Sequence, residues 1–233
     1  MRQKPKLAVL TGAGMSADSG IKTFRDADGL WEGHDVMEVA SIVGWNKNPE
    51  LVLEFYNQRR RQLKSVSPNQ GHIALKELED YFDVSIITQN VDNLHERAGS
   101  SKIIHLHGEL NKIRSTGNER YVLEQYEDIQ LGDKCPEGYQ LRPDIVWFGE
   151  EVPMMQKAIL EVSSSDALLI IGTSLVVYPA AGLIEYIPHE APIVVVDPKA
   201  SSLPVRKAYI INETAAIGTS LAAQYLIQQF KLT

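Results

Sequence analysis

The sequence predicts an α/β protein in which a doubly wound, parallel Rossmann-like sheet carries a second, smaller inserted domain. Four short runs, at residues 7–10, 84–88, 167–171 and 193–196, are apolar almost without interruption. Strands that are buried on both faces of a parallel sheet have this composition. Helical patterns lie among these runs, as at residues 72–81, and follow them at residues 219–230. Such alternation of strands and helices is typical of a doubly wound sheet.

Two stretches depart from the alternation and predict the inserted domain. Residues 31–68 read as helical, most clearly at 49–64, where Asn48 and Pro49 form a cap and a first turn. Residues 111–142 are polar and rich in glycine and proline, with little periodicity. We expect these two stretches to pack together as the small domain. The sheet domain then comprises the remaining residues, 1–30, 69–110 and 143–233.

Composition excludes several classes of protein. The 233 residues are 44% hydrophobic and 23% charged, as in an ordinary globular protein. The net charge of −7 gives no general attraction to nucleic acid or anionic lipid. No run approaches the ~20 apolar residues that span a bilayer, and the N-terminal apolar run is too short for a signal peptide. The single Cys135 fits a reducing compartment. We expect a cytoplasmic monomer with no nucleic-acid or membrane partner.

The first predicted strand runs directly into a glycine-rich loop with the pattern G-x-G-x-x-A. Gly12 allows a tight turn, Gly14 lets backbone amides approach a pyrophosphate, and the small Ala17 lets the next helix pack closely. The loop therefore predicts a bound dinucleotide. A hydride-transfer dehydrogenase would carry an acidic residue about 20 positions further on, at the end of a strand, but residues 24–30 do not read as one. Asp197, after the fourth run, is the better candidate for contacting ribose or adenine.

Five blocks of sequence together resemble the sirtuins, the NAD-dependent protein deacylases. The blocks are SADSGI at 16–21, which leads to Phe24 and Arg25, TQNVDNLH at 88–95, HGE at 107–109, VWFGE at 146–150 and GTSL at 172–175. They occur in order and at the family's spacing over nearly the whole chain. The resemblance implies an enzyme that uses NAD to remove acyl groups from lysine side chains of proteins or peptides.

The resemblance also implies roles for individual residues. His107 would be the general base and would form the catalytic pair with Asn90. The residues implied to bind NAD are Gly12, Ala13, Gly14, Ser16, Phe24, Arg25, Gln89, Asn90, Asp92, Gly172, Thr173, Ser174 and Asp197. An extended substrate peptide would pair between two segments by strand addition. The residues implied to bind substrate there are Val146, Phe148, Gly149, Glu150, Leu175 and Val177.

The chemistry of the family explains these residue types. The acyl-lysine carbonyl oxygen attacks C1′ of the nicotinamide ribose and expels nicotinamide, so the site needs order and exclusion of water more than a strong acid. A base then takes a proton from the ribose hydroxyls. Histidine suits this step because its ordinary pKa is about 6.5. The products would be free lysine, nicotinamide and an O-acyl-ADP-ribose.

Without the resemblance, the same residues have plainer interpretations. Asn90 and Asp92 could be turn formers after a strand. His105 and His107 could be half of a metal site or a polar strand end, and His95 could cap a helix or contact solvent. With the resemblance, we assign His105 to structure and give His95 no catalytic role.

One departure from the family concerns zinc. Sirtuins usually carry four cysteines that hold a structural zinc in the small domain. The corresponding stretch, residues 112–141, contains only Cys135, and Ser115 and Gly138 stand roughly where other cysteines would be expected. A structural zinc needs four Cys or His ligands, so we predict no zinc. Apolar contacts in a short helix or hairpin would hold the stretch instead, from Tyr121, Val122, Leu123, Tyr126, Ile129 and Leu131.

A second feature concerns the acyl group. Tyr56 and Arg59 lie three residues apart on the predicted helix, hence on one face. Sirtuins that remove malonyl, succinyl or glutaryl groups show this Y-x-x-R spacing. The arginine offers a planar fork to an acyl carboxylate, and the tyrosine adds a hydroxyl, so acetyl should be the poorer substrate. The alternative is that the three consecutive arginines form one solvated helix face. We expect that for Arg60 and Arg61.

Other functions remain open at this point. A NAD-dependent deacetylase would lack the acidic preference, and a protein ADP-ribosyltransferase would share the cofactor site but give modified protein. A non-catalytic module that binds NAD or ADP-ribose would need no base, so His107 weighs against it. A dehydrogenase is disfavoured by the missing acidic residue.

Overall fold

The computed structural model describes residues 4–22, 30–203, 205 and 207–232. Phe24 and Arg25, which we predicted to bind the cofactor, lie outside the described residues. In the described part the strands are β1 (Lys6–Thr11), β2 (Leu30–Trp31), β3 (His34–Asp35), β4 (Asp83–Thr88), β5 (Ile103–His105), β6 (Gly108–Ser115), β7 (Val122–Glu124), β8 (Leu141–Ile145), β9 (Ala167–Ile171), β10 (Ile193–Val196) and β11 (Ala208–Ile211). The α-helices are α1 (Gly14–Ala17), α2 (Val36–Val39), α3 (Ile42–Lys47), α4 (Pro49–Leu63), α5 (Gln70–Leu78), α6 (Leu94–Arg97), α7 (Met155–Ser163) and α8 (Ala215–Gln229). Short 3-10 helices cover Ala180–Glu185 and Ala200–Ser202.

Six strands form one parallel sheet in the order β11-β10-β9-β1-β4-β5. Thr11, the last residue of β1, lies opposite Thr88 of β4 on one side and Ile171 of β9 on the other. From β4 the chain builds outward to β5, and from β9 it builds outward in the other direction to β10 and β11. The topology therefore changes direction between β1 and β9. Doubly wound sheets bind their ligands outside the carboxyl ends of the strands at such a point.

Both faces of this sheet are covered, which explains the uninterrupted apolar runs. Leu7 and Val9 of β1 point into a core that includes residues of α5 and α8. Ala8 and Leu10 point into a second core on the opposite face, which includes residues of α7. All four side chains are fully buried. The predicted fold class, a doubly wound parallel sheet, is confirmed.

The four predicted runs all correspond to strands, β1, β4, β9 and β10. The two strands that the runs did not include, β5 and β11, form the two edges of the sheet. They have three and four residues, and part of each remains accessible. An edge strand of this length gives only a weak signal in sequence.

The helices begin where side chains can cap them. The Asn48 side chain accepts a hydrogen bond from the amide of Leu51 at the start of α4, as predicted. Helix α5 begins before the predicted residue 72 because Asn69 caps it, and His72 completes a capping box with Asn69. Within the described residues, no helix is long and apolar enough to cross a membrane.

The remaining elements form what we call the small module, made of α2, α3, α4, the β2–β3 hairpin and an antiparallel sheet in the order β7-β6-β8. A third core joins these parts and includes Phe55 of α4, Ile113 of β6 and Ile145 of β8. Strand β6 begins before residue 111, and strand β8 ends after residue 142, so both extend beyond the predicted range 111–142. The exact division into domains stays a prediction.

The expectation that apolar contacts hold residues 121–131 is wrong for most of the residues concerned. Val122, Leu123, Tyr126 and Leu131 are exposed, and only Ile129 is buried in the core. Strand β7 lies at the edge of its sheet, and all three of its residues are exposed. Besides this apolar contact of Ile129, hydrogen bonds to Asn57 of α4 fix the stretch.

The expectation that Arg60 belongs to a solvated face is also wrong, because Arg60 lies on the side of α4 that faces β6. Its side chain is 1% exposed, with Nε donating to the carbonyl of Leu110 and Nη1 donating to Oδ1 of Asn57. Asn57 in turn donates through Nδ2 to the carbonyl of Ile129 and accepts from the Ile129 amide, at 2.8 and 2.9 Å. Arg61 remains exposed, as predicted.

Candidate functional site

A cavity of about 700 Å³ opens at the carboxyl ends of β1, β4, β9 and β10, where the topology changes direction. Helix α4 and the segment after β8 line its other side. The predicted site residues that line it are Gly12, Ala13, Gly14, Ser16, Tyr56, Arg59, Gln89, Asn90, Asp92, His107, Val146, Phe148, Gly149, Glu150, Gly172, Thr173, Ser174, Val177 and Asp197. Leu175 does not line it, because its side chain is buried in the core beneath the sheet. The fold thus brings residues from distant parts of the sequence to one cavity.

The glycine loop after β1 packs directly on the loop after β9. A Cβ on Gly14 would lie 2.7 Å from Cα of Gly172, and a Cβ on Gly12 would lie 2.7 Å from Cβ of Thr173. The amides of Gly12 and Gly14 donate to the carbonyls of Ile171 and Gly172. These two amides are therefore used within the chain. The amide of Ala13 has no acceptor among the described residues.

Three polar side chains are joined behind this loop. Ser16 donates its hydroxyl hydrogen to Oδ2 of Asp92 at 2.9 Å and accepts from Nδ2 of Asn90 at 3.1 Å. The other oxygen of Asp92 accepts from the amide of Leu94. Burial raises the pKa of Asp92, although these donors oppose the shift. A buried carboxylate and amide of this kind, fixed at the end of strand β4, can orient hydroxyl groups of a sugar.

The geometry of His107 suits a proton acceptor. Its Nδ1 lies 3.1 Å from the carbonyl oxygen of Gln89. Because a carbonyl can only accept, Nδ1 carries the hydrogen, and in the neutral ring Nε2 is left with a lone pair. Burial lowers the pKa of His107, which favours this neutral form.

The neighbouring histidines have structural partners. His105 lies with Nδ1 near the carbonyl of Asn90 and Nε2 2.7 Å from Glu96. Burial, the largest single effect, lowers the pKa of His105, but the hydrogen bond and charge of Glu96 together with Glu109 and the Asn90 carbonyl raise it overall. His95 is fully buried, with Nε2 3.2 Å from Oγ1 of Thr11, so the interpretation that it contacts solvent is wrong. The assignment of His105 to structure agrees with this geometry.

Tyr56 and Arg59 line the end of the cavity formed by α4. Tyr56 is 1% exposed. Arg59 donates from Nη1 to the carbonyl of Phe55 at 2.5 Å, and its guanidinium lies 3.6 Å from the centre of the Phe55 ring. Its buried Nε has no hydrogen-bond partner among the described residues. Burial lowers the pKa of Arg59, against the opposing effect of the Glu32 carboxylate. This end of the cavity therefore offers donors to an anion.

The first of the two segments predicted to hold a peptide already uses part of its backbone within the chain. Phe148 donates its amide to Ala40 and accepts from Ile42. A peptide strand would therefore have to use backbone groups of neighbouring residues. In the other segment the side chains of Val176 and Tyr178 are 70% and 71% exposed, so that segment presents an open surface.

Where family members carry zinc ligands, this chain has hydrogen bonds. The Ser115 hydroxyl lies 3.3 Å from Sγ of Cys135 and accepts from the amides of Gly117 and Asn118. The amide of Cys135 donates to the carbonyl of Tyr139. These bonds give the polar groups of the turn hydrogen-bond partners within the chain. The absence of zinc stays a prediction.

Sequence reasoning did not identify Trp147 as a site residue. Trp147 lines the cavity and is 2% exposed, and its Nε1 donates to the hydroxyl of Tyr56 at 3.0 Å. An aromatic residue at this position reads as core from sequence. The contact joins residues 91 positions apart, so no local pattern could have shown it.

Comparison with known proteins agrees with this geometry. The model of the Sir2 family matches residues 12–179. A relative from Helicobacter pylori, named NAD-dependent protein deacylase, is 59% identical over 211 residues, which cover 90% of this chain and 92% of the relative. A relative of the same name from Bacteroides thetaiotaomicron is 52% identical over 229 residues, covering 95% and 97%.

Solved structures show the same architecture. A Sir2 homologue in a mutant form, described as a complex with ADP-ribose, superimposes with a TM-score of 0.89. It is 36% identical in sequence, and the match covers 99% of this chain and 95% of that one. The similarity therefore extends over both the parallel sheet and the small module.

Proposed function

The chain belongs to the Sir2 family, and on that premise we propose that it is an NAD-dependent protein-lysine deacylase that prefers acidic acyl groups such as succinyl and malonyl. One observation carries the proposal. A single cavity is lined on one side by the glycine loop and His107 and on the α4 side by Arg59, whose buried Nε has no hydrogen-bond partner among the described residues. Cofactor chemistry and recognition of an acyl carboxylate can thus meet in one place.

The residues around the glycine loop fit NAD. The amide of Ala13, which has no acceptor among the described residues, suits a pyrophosphate, and Gly12 and Gly14 let this loop pack closely on the loop after β9. The buried set of Ser16, Asn90 and Asp92 would bind and orient the ribose, and Asp197 would contact the adenosine half. When bound, NAD supplies a ribosyl carbon that nicotinamide leaves. The chain's residues orient the groups and exclude water.

His107 would serve as the general base. Its neutral ring is oriented by the bond from Nδ1 to the carbonyl of Gln89, so Nε2 can accept a proton from a ribose hydroxyl. Its lowered pKa keeps this nitrogen unprotonated at neutral pH. This geometry supports the proposed role of general base, which a binding module would not require.

The charge at the α4 end supports the acidic preference. Within the described part of the chain, Arg59 has one bond to a backbone carbonyl, that of Phe55, and a buried Nε without a partner. A terminal carboxylate on the acyl chain would supply that partner, and charge-assisted bonds of this kind are the stronger ones. An acetyl group would leave the donor unsatisfied, at a cost.

The experiment that tests the proposal compares acyl groups on one lysine peptide. The peptide is prepared in acetyl and succinyl forms, each is incubated with the protein with and without NAD, and deacylation is followed by mass spectrometry. We expect the succinyl form to be cleared faster and only with NAD. A preference for the acetyl form would leave the deacylase activity standing and refute the acidic preference.

Failure to clear either form would refute the deacylase activity. Protein modified with ADP-ribose would then indicate ADP-ribosyl transfer. Binding of NAD without turnover would indicate a binding module.

A further inference from the structure

We infer that Trp147 is a positioning residue for acyl selectivity: its indole N–H bonds the hydroxyl oxygen of Tyr56 and leaves the Tyr56 hydrogen for an acyl carboxylate. This inference rests on the proposed preference for acidic acyl groups. Trp147 acts through Tyr56.

The hydrogen-bonding capacities of the two groups set the direction of the bond. An indole N–H can only donate, so at 3.0 Å the Tyr56 oxygen is the acceptor. A tyrosine hydroxyl also has one hydrogen to donate. Burial raises the pKa of Tyr56, so this hydrogen remains on the oxygen at all ordinary pH values. Because Tyr56 lines the cavity beside Arg59, the hydrogen is available to a ligand there.

Trp147 is itself held firmly. The guanidinium of Arg142 lies 3.4 Å from the centre of its ring, and Arg142 bonds both oxygens of Glu150 at 2.6 and 3.0 Å. The backbone amide of Trp147 donates to the same carboxylate at 2.8 Å. The indole therefore has a fixed orientation, and it transmits that orientation to the Tyr56 hydroxyl.

Glu150, which we predicted to bind substrate, also belongs to this arrangement. It lines the cavity, but its carboxylate already accepts hydrogen bonds from the chain. Its oxygens accept from Arg142, Arg114 and the Trp147 amide. Little acceptor capacity remains for a substrate side chain. The carboxylate's contacts instead place it behind the tryptophan as a support.

A double-mutant cycle tests the inference. The variants are Trp147→Phe, which removes the indole N–H, Tyr56→Phe, which removes the hydroxyl, and the double variant. For each, kcat/KM is measured on the succinyl and acetyl forms of one peptide, and the selectivity is the ratio of the two values. We expect Trp147→Phe to lower the ratio about threefold to tenfold, the scale of one neutral hydrogen bond. In the Tyr56→Phe background, adding Trp147→Phe should change it by less than about twofold.

Trp45→Phe provides the matched control. Trp45 is also buried and packs against Trp147 with ring centres 5.3 Å apart, so the substitution removes the same volume without removing the bond to Tyr56. Its selectivity ratio should equal that of the wild type. A general packing defect would lower both activities together and leave every ratio unchanged.

The outcomes separate the two proposals. A wild-type ratio of one refutes both. A wild-type preference for succinyl that Trp147→Phe leaves intact refutes the positioning role alone. An effect of Trp147→Phe that persists undiminished in Tyr56→Phe does the same, because Trp147 would then act without the hydroxyl.

Discussion

The hydroxyl of Ser16 donates a 2.9 Å hydrogen bond to Oδ2 of Asp92 and so ties α1, at the end of the glycine loop, to the loop after β4. Both residues are buried. The two loops begin at the paired ends of neighbouring parallel strands, Thr11 and Thr88. A change at Asp92 should therefore affect the glycine loop as well as its own.

Asp92→Ala should destabilise the fold. The substitution leaves the Ser16 hydroxyl and the Leu94 amide without their buried acceptor, and each unsatisfied group costs on the order of 1–3 kcal/mol. Urea unfolding followed by circular dichroism measures the loss. Asp92→Asn is the control: its carbonyl oxygen can still accept one bond, so the loss should be smaller. Equal losses in the two variants would contradict this account.

His107→Ala should abolish turnover and leave NAD affinity largely intact, because the ring accepts a proton and is not among the residues assigned to hold the pyrophosphate. Formation of the deacylated peptide measures turnover, because nicotinamide leaves before the base acts, and calorimetric titration measures NAD binding. Preserved turnover would remove His107 from the mechanism.

The activity should also have a characteristic acid limb. Since burial lowers the pKa of His107, kcat/KM should stay constant from alkaline to neutral pH and fall only below the ordinary histidine value of about 6.5. The profile is measured with succinyl peptide at limiting concentration. A limb that begins above neutral pH would show that another group is titrating.

Arg59→Met should weaken activity on succinyl-lysine by on the order of 1.5–3 kcal/mol, the scale of a hydrogen bond to a charged group. Activity on acetyl-lysine should hold or rise. The measurement is kcat/KM for both peptides. Arg61→Met is the matched control, since Arg61 lies on the same helix but is exposed and paired with Glu54 and Asp128. An equal loss on both substrates would mean that Arg59 is structural.

Asn57→Ala should loosen the stretch between β7 and β8. Asn57 bonds both backbone groups of Ile129 and accepts from Arg60, so its removal leaves buried groups unpaired at about 1–3 kcal/mol each. Hydrogen exchange followed by mass spectrometry should show faster exchange in residues 122–141. The neighbouring Gln58→Ala is the control, because the Gln58 side chain donates to the exposed Glu54 and bonds no other side chain in the described part of the protein. Unchanged exchange in Asn57→Ala would mean that other contacts hold the stretch.

Stability should fall on acidification because of His72. Burial lowers its pKa to about 4, and its Nδ1 accepts from the Asn69 amide, so charging the ring would break the capping box. The unfolded chain takes up the proton first as pH falls. Stability is therefore full at neutral pH and declines between about pH 6.5 and pH 4, by about 2 kcal/mol at pH 5.

Urea unfolding at pH 7 and pH 5 measures this difference. His72→Gln should reduce this difference in stability. Part of the difference should remain, because burial also lowers the pKa of His95. The exposed His189 gives the control, and His189→Gln should leave the difference unchanged. A pH dependence in His72→Gln as steep as in the wild type would exclude His72 as its source.

The sequence predicts the centre of the fold better than its margins. Strands such as β1 and β9 are buried on both faces, so they must be apolar throughout, and that composition can be read directly. The small sheet could not be predicted in this way, since β7 is exposed along its length. The prediction for Arg60 was wrong because a run of three arginines does not indicate which side chain faces the core. The packing of α4 against β6 determines which one is buried.

Some parts of the site could likewise be predicted from the sequence, and others could not. The glycine loop has a local sequence pattern, and its position at the end of β1 follows from the fold class. The roles of residues such as Asn90 and His107 came from the resemblance, because each side chain alone is compatible with a plain turn or strand end. The bond between Trp147 and Tyr56 depends on how β8 meets α4, and such a contact exists only once the chain is folded.

The contact between Gly14 and Gly172 restricts how this protein can evolve. A Cβ on Gly172, whose φ is +60°, would lie 2.4 Å from the backbone of Gly14, and a Cβ on Gly14 would lie 2.7 Å from Gly172. Neither position has a neutral first substitution, and replacing both together only brings two methyl groups into the same space. The ancestry of such a chain should therefore show substitutions at exposed positions such as those of β7, while these two positions stay unchanged. New specificities would arise at the acyl end of the cavity.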